Sequence, residues 1–213
     1  MDDLFSNTVC GVPVVVILFI LAAMGLAAFI GYWQRQGTSR KWSQLAARTG
    51  LTLEGGSWLV KPRLHGEYRR HTLELTTYTE SSGTPGDSSS ATYTLITLYL
   101  TNNSKMLAIS PSGLTGAISK ALGMQDVQIG NEAFDKRFTI KSQPPEFAGE
   151  LLGGDTMLCD SIAGLRKSGW FELRVEGSQM TYRESGRETN LDRLEAIFNT
   201  LCDLADRVDE HGK

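Results

Sequence analysis

Between Leu4 and Gln34 the chain runs for 31 residues without a charge. Nothing else in the sequence restricts its folding so strongly. The central stretch VVVILFILAAMGLAAFIGYW is apolar on every helical face. At about 1.5 Å per residue, some 20 such residues match a hydrocarbon core of about 30 Å. The spacing therefore predicts an uncleaved transmembrane helix over residues 9–33. A cleavable signal peptide would open on basic residues and carry a shorter apolar core, whereas this chain opens with Asp2 and Asp3. Cys10 lies ahead of the apolar core rather than behind it, so the pattern of a lipid-modified cysteine is not met either.

The flanks give an orientation. Arg35, Arg40, Lys41 and Arg48 follow the apolar run while no Lys or Arg precedes it, and cytoplasmic segments carry the excess of basic residues. Residues 1–8 are expected outside the cell, the remainder in the cytoplasm, and the chain in the inner (plasma) membrane as a single-pass protein. Tyr32, Trp33 and Arg35 sit where amphipathic and basic side chains anchor a helix end at the interface. Ala23, Ala27 and Gly31 recur every four residues on one helical face, a small-residue stripe that admits close approach of a second helix. The expected partners are the lipid bilayer and another membrane protein or a second copy of the chain.

Composition narrows the rest. Lys and Arg total 21 against 24 Asp and Glu, giving a net charge of −3, and the basic residues are scattered or beside acids. No nucleic-acid partner is expected, because phosphate binding needs a concentrated basic surface. Cys10, Cys159 and Cys202 are far apart, with no CxxC pair or disulfide framework, and His65, His71 and His211 are equally isolated. No metal or other cofactor is expected.

Beyond the apolar run the sequence divides into a juxtamembrane helix at 34–50, an α+β domain at 51–208 and a fraying tail at 209–213. In the first, Ser39 is placed to cap RKWSQLAART, with Trp42, Leu45 and Ala46 on one side and Gly50 ending it. LHGEYR and TLELTTY alternate as strands around a turn at Arg69-Arg70-His71. ESSGTPGDSSSA, residues 80–91, reads as a mobile loop because it has little apolar surface to bury. TYTLITLYLT is apolar on both faces and so central in its sheet, MLAIS is another strand, and Ser112 caps a helix at LTGAISKAL. Pro144-Pro145 opens the helix PEFAGELL, and Asp155 caps TMLCDSIAGLRKS, whose apolar side includes Met157, Leu158, Ile162 and Leu165. WFELRVEGSQMTYRES is a hairpin about Gly177-Ser178. The last helix starts at Thr189 with Asp192 three residues on, and its stripe is Leu191, Leu194, Phe198, Leu201, Ala205 and Val208.

The run DVQIGNEAFDKRFTIKS, Asp126–Ser142, is the most distinctive in the domain. Phe134 and Phe138 are four apart and suited to packing on the core, with Asp135, Lys136 and Arg137 directed away. The pattern of Phe134, Asp135, Lys136, Phe138, Ile140 and Ser142 resembles a family of uncharacterised bacterial membrane-anchored proteins, defined only as a domain of unknown function. The likeness covers about residues 125–183. It implies a shared fold and brings no activity or site residues.

The expected fold class is α+β, with a single N-terminal transmembrane helix and a cytoplasmic domain of mainly antiparallel sheet and packed helices. GxSxG, HExxH, a Gly-rich phosphate loop and a Rossmann fingerprint are all missing, so no catalytic residue is assigned and the protein is not expected to be an enzyme. The expected function is that of a membrane-anchored binding or scaffold protein, an accessory subunit of a larger membrane assembly. The alternatives are a lipid or small-molecule sensor at the membrane face, and an enzyme whose site is assembled from distant residues.

Overall fold

In the computed structural model the backbone is described for residues 8–57, 60–84, 87–101, 103–113, 124–166 and 170–211. One long helix, α1 (Thr8–Thr49), precedes β1 (Thr52–Glu54), β2 (Arg63–Tyr68), β3 (His71–Thr84), β4 (Asp87–Tyr99), β5 (Met106–Pro111) and β6 (Gln125–Val127). Then come α2 (Glu132–Arg137), β7 (Phe138–Gln143), α3 (Pro145–Leu152), α4 (Thr156–Gly164), β8 (Phe171–Glu176), β9 (Gln179–Ser185) and α5 (Leu191–His211). The nine strands form one sheet in the order β1-β2-β3-β4-β9-β8-β5-β7-β6, and every pairing is antiparallel. The α+β class is as expected.

The transmembrane element is corrected. Among the described residues no helix is long and apolar enough to cross a membrane. The described, exposed apolar side chains of α1 run from Val15 to Phe29. Nor does α1 break between residues 33 and 34. The juxtamembrane helix is its C-terminal part, where Thr38, Trp42 and Leu45 are buried at a spacing of three and four. Ser39 consequently caps nothing; its hydroxyl donates to the Gly56 carbonyl at 3.4 Å. Gly50, at φ +77°, ends the helix as expected and returns its N–H to the Ala46 carbonyl at 2.9 Å.

Alternation decides which face of the sheet is covered. Leu73, Leu75, Ile96, Leu98, Leu173, Val175, Met180 and Tyr182 point one way and are fully buried, while Glu74, Thr76, Leu95, Thr97, Thr181 and Arg183 point the other way and are half-buried. Over the covered face lies α5, burying Leu194, Ile197, Phe198, Leu201, Cys202, Leu204, Ala205 and Val208. Each such aliphatic or aromatic side chain contributes about 1.5–3 kcal/mol on burial, which holds a 21-residue helix in place without reference to its intrinsic propensity.

Residues 80–84 and 87–91 are strand rather than loop. β3 and β4 continue outward as one hairpin, with pairing through Glu80↔Ala91, Ser82↔Ser89 and Thr84↔Asp87. The ladder satisfies its backbone groups internally, so the strands extend past the apolar core on hydrogen bonds and polar side chains alone. The turn at Arg69-Arg70 is as expected, both residues having positive φ (47° and 73°), the geometry of a two-residue hairpin turn. Met157 is 80 % exposed rather than part of the apolar side of α4. Helix α5 is capped by Asn190, whose side-chain oxygen accepts from the Arg193 N–H at 3.0 Å, one residue later than the expected Thr189. It also continues through the expected tail to His211, and the Asp209 carboxylate accepts from the Thr101 N–H at 3.1 Å. The helix expected at residues 114–122 lies outside the described residues.

Candidate functional site at the root of helix α1

Ten large apolar side chains of α1, from Val15 to Phe29, are at least half exposed, with Phe19 the most so at 78 %. This is the largest apolar surface that the described residues leave uncovered, and such a surface marks contact with another apolar body. Ala23 lies within it and is exposed. Ala27 and Gly31 follow at the same spacing of four on the α1 backbone, and Tyr32, Trp33 and Arg35 continue the helix. The side chains of these last five residues fall outside the described set.

The other end of α1 is held firmly. Trp42 is fully buried and its indole N–H donates to the Glu188 carbonyl at 3.1 Å. Arg48 reaches Asp192 at 2.9 Å and Glu195 at 3.4 Å on α5, exposed pairs of small worth beside the buried indole. The Glu188 segment is fixed in turn by Thr94 of β4, whose hydroxyl accepts from the Glu188 N–H at 2.8 Å and donates to the Gly186 carbonyl at 2.8 Å.

Beneath this anchor lies a buried ionic network. Arg193 of α5 donates to both Glu184 oxygens at 2.8 and 2.7 Å, to Glu188 at 3.0 Å and to the Leu165 carbonyl at 2.6 Å. The remaining Glu188 oxygen accepts the N–H groups of Thr189 and Asn190 at 2.9 and 2.8 Å. The Tyr182 hydroxyl donates to Glu184 at 3.0 Å. Burial disfavours the charge on Arg193, but hydrogen bonding to Glu184 outweighs it and holds its pKa above the ordinary value. Burial, and then the negative charge of Glu184, push the Tyr182 phenol well above its usual range. Arg193 therefore stays charged and Tyr182 neutral at ordinary pH. What the network does chemically is lock α1, β4, β9, α5 and the C-terminal end of α4 to one another.

None of these network residues stands out by motif. One signal was available: Met180, Tyr182 and Glu184 occupy successive inward positions of an alternating strand, and an inward Glu demands a buried cation. Other polar residues singled out in the sequence have structural work. Phe134 and Phe138 pack at 4.6 Å between ring centroids, both buried as expected. Asp135 does not point away; its carboxylate accepts the N–H groups of Ile129 and Gly130 at 3.1 and 3.2 Å. The basic turn docks on α5, with Arg69 on Asp203 at 2.8 Å and His71 beside Asp206 at 3.0 Å. Burial raises the thiol pKa of Cys159, and raises that of Cys202 to about 11. Both therefore stay protonated at neutral pH, the unreactive form. Among the described residues no three His, Cys, Asp or Glu side chains converge on a metal position.

On the opposite face of the sheet, Arg183 stacks over Tyr93 and Trp170 at 4.7 and 4.5 Å and pairs with Glu80 at 3.2 Å. This closes the base of the long hairpin against the sheet.

The sequence matches no described protein family and no curated protein. The fold is similar to that in the crystal structure of the mycobacterial trehalose monomycolate transport factor A, TtfA, with a TM-score of 0.55 and 13 % identity, covering 81 % of this chain and 94 % of that one. At that identity the likeness is one of fold.

Proposed function

We propose that this chain is a non-catalytic accessory component of a membrane-associated assembly, in which the exposed apolar stretch of α1 packs against an apolar partner surface and the α+β domain is presented from its root. The observation that carries this is the contrast along a single helix. Val15–Phe29 exposes ten large apolar side chains, whereas Trp42 and Leu45 are fully buried in the domain. A solitary soluble protein does not keep such a surface. The Trp42–Glu188–Arg193 connection makes the helix a rigid extension of the domain, so whatever holds one end sets the position of the other.

Two further points support the reading. The structure of similar fold belongs to a protein named as a transport factor, and an accessory role in a membrane transport system suits a domain with neither a thiolate nor a metal cluster among its described residues. Arg40 and Lys41, exposed where the helix enters the domain, favour the cytoplasmic face, where anionic lipid attracts basic side chains.

The test is solubilisation of the native membrane in mild detergent followed by size analysis and identification of the co-migrating proteins. Wild-type chain is expected in a complex larger than its 23.4 kDa, and Phe19→Asp with Ile20→Asp is expected to release it. A lone monomer for the wild type would overturn the proposal.

A further inference from the structure

Where α1 joins the domain there is a shallow cleft, open to solvent, lined by Thr38, Lys61, Pro62, Thr77 and Arg187. Each wall is built separately. Thr38 is on the buried side of α1, and Thr77 is the last residue on the covered face of β3 before the hairpin extends outward. Arg187 is presented by the segment that Thr94 fixes through Gly186 and Glu188. Lys61 follows the loop that approaches α1 at Gly56. That residue has φ +83°, and a Cβ there would come within 2.6 Å of the Ser39 hydroxyl, so only glycine lets the loop close on the helix.

Among the described residues the lining has two cations and no carboxylate. Several other arginines, Arg48, Arg63, Arg69 and Arg183 among them, each hold a carboxylate. Lys61 and Arg187 form no ion pair or side-chain hydrogen bond with any other described residue, and the Thr77 hydroxyl, in a side chain only 7 % exposed, likewise has no partner among them. These side chains belong to three separate segments: the loop before β2, the segment before α5, and β3. A planar carboxylate offers two oxygens in one plane, whereas a tetrahedral oxyanion reaches all three. Arginine and lysine are the side chains that bind phosphate, one as a fork and the other as a point charge.

We propose that this cleft binds a phosphate group, free or as the headgroup of a lipid lying against the apolar stretch of α1. Thr38 is 9 positions from Phe29, about 13 Å along the helix, so the cleft lies on the domain side of the exposed apolar stretch. The inference stands on the cleft itself and does not depend on the assembly proposed above.

The experiment uses the full chain in non-ionic detergent, titrated calorimetrically with inorganic phosphate, with dihexanoyl phosphatidic acid and, as the phosphate-free control, with dihexanoylglycerol. Saturable binding of at least one phosphate-bearing ligand is expected, weakened about tenfold or more by Lys61→Met and by Arg187→Met, and unchanged by Arg166→Met, an exposed cation elsewhere. Both cleft cations are exposed, so the urea midpoints of the two variants should match the wild type. Equal affinity for the two phosphate ligands identifies a free oxyanion site; tighter binding of phosphatidic acid identifies a headgroup site. Absence of binding, indifference to both cleft variants, or dihexanoylglycerol binding as tightly as phosphatidic acid would each overturn the proposal.

Discussion

Replacement of Arg193 by Met tests whether the buried network is what unites α1 with the domain. The substitution keeps most of the aliphatic volume and removes only the charge and its hydrogen bonds. The guanidinium meets three carboxylate oxygens and a carbonyl at 2.6–3.0 Å, and the side chains of Glu184 and Glu188 are 8 % and 4 % exposed. Without Arg193, Glu188 retains the N–H groups of Thr189 and Asn190, and Glu184 retains the Tyr182 hydroxyl. Two negative charges are then buried side by side without the guanidinium that bridges them. Removing one partner of a buried pair costs about 3–5 kcal/mol, most of it from the charge left behind. With a urea slope of about 2 kcal/mol/M, the midpoint should fall by roughly 2 M. Urea denaturation followed by tryptophan fluorescence measures it. The double variant Arg193→Met with Glu184→Gln should recover at least about 1.5 kcal/mol relative to additivity, because the neutral amide removes one uncompensated charge. Limited trypsin digestion should cut faster after Arg40 and Lys41 in the single variant, since Glu188 no longer holds Trp42 rigidly. A loss below about 1 kcal/mol, or strictly additive effects, would refute the account.

Three further expectations follow from other parts of the fold. Phe138→Ala should destabilise the domain by about 3–5 kcal/mol in the same urea assay, because the ring is 2 % exposed between Phe134 and Phe171. Asp155→Ala removes the N-cap of α4, where the carboxylate accepts the Leu158 N–H at 3.0 Å, together with the partner of Arg207, and should cost about 1–2 kcal/mol. For Cys202 the folded thiol titrates at about 11 against an ordinary 9.0. Between those values the unfolded chain has lost a proton that the folded chain keeps, so this group makes stability fall as pH rises from 9 to 11, and Cys202→Ala should flatten that part of the urea midpoint profile.

Local structure was legible wherever a short stretch carried its own instruction. The turn at Arg69-Arg70, the Gly177-Ser178 turn, the Asp155 cap and the Pro145 start of α3 all depend on neighbours a few residues away. The stripe of α5 was equally plain, since burying one side of a long helix leaves a period of three and four. The polar 80–91 segment was misread because apolar content reports burial, whereas a hairpin extension is held by a ladder that any side chain permits. Met157 was misread because the covered face of α4 is the one that carries Leu158, Cys159, Ile162 and Ala163, and Met157 lies outside it.

The root of α1 belongs to a different order of information. By itself the sequence determined that an uncharged apolar run of 31 residues precedes an α+β domain, and that such a run must meet something apolar. Only the tertiary structure decided that α1 passes unbroken from that run into the core, and that Trp42 meets Glu188 across 146 positions. It also decided that Lys61 and Arg187 line one cleft without a carboxylate between them. The physical reason is range. Hydrophobic periodicity and turn chemistry act between near neighbours and are written in order along the chain, while charge pairing and cavity lining depend on which distant segments the sheet topology brings together.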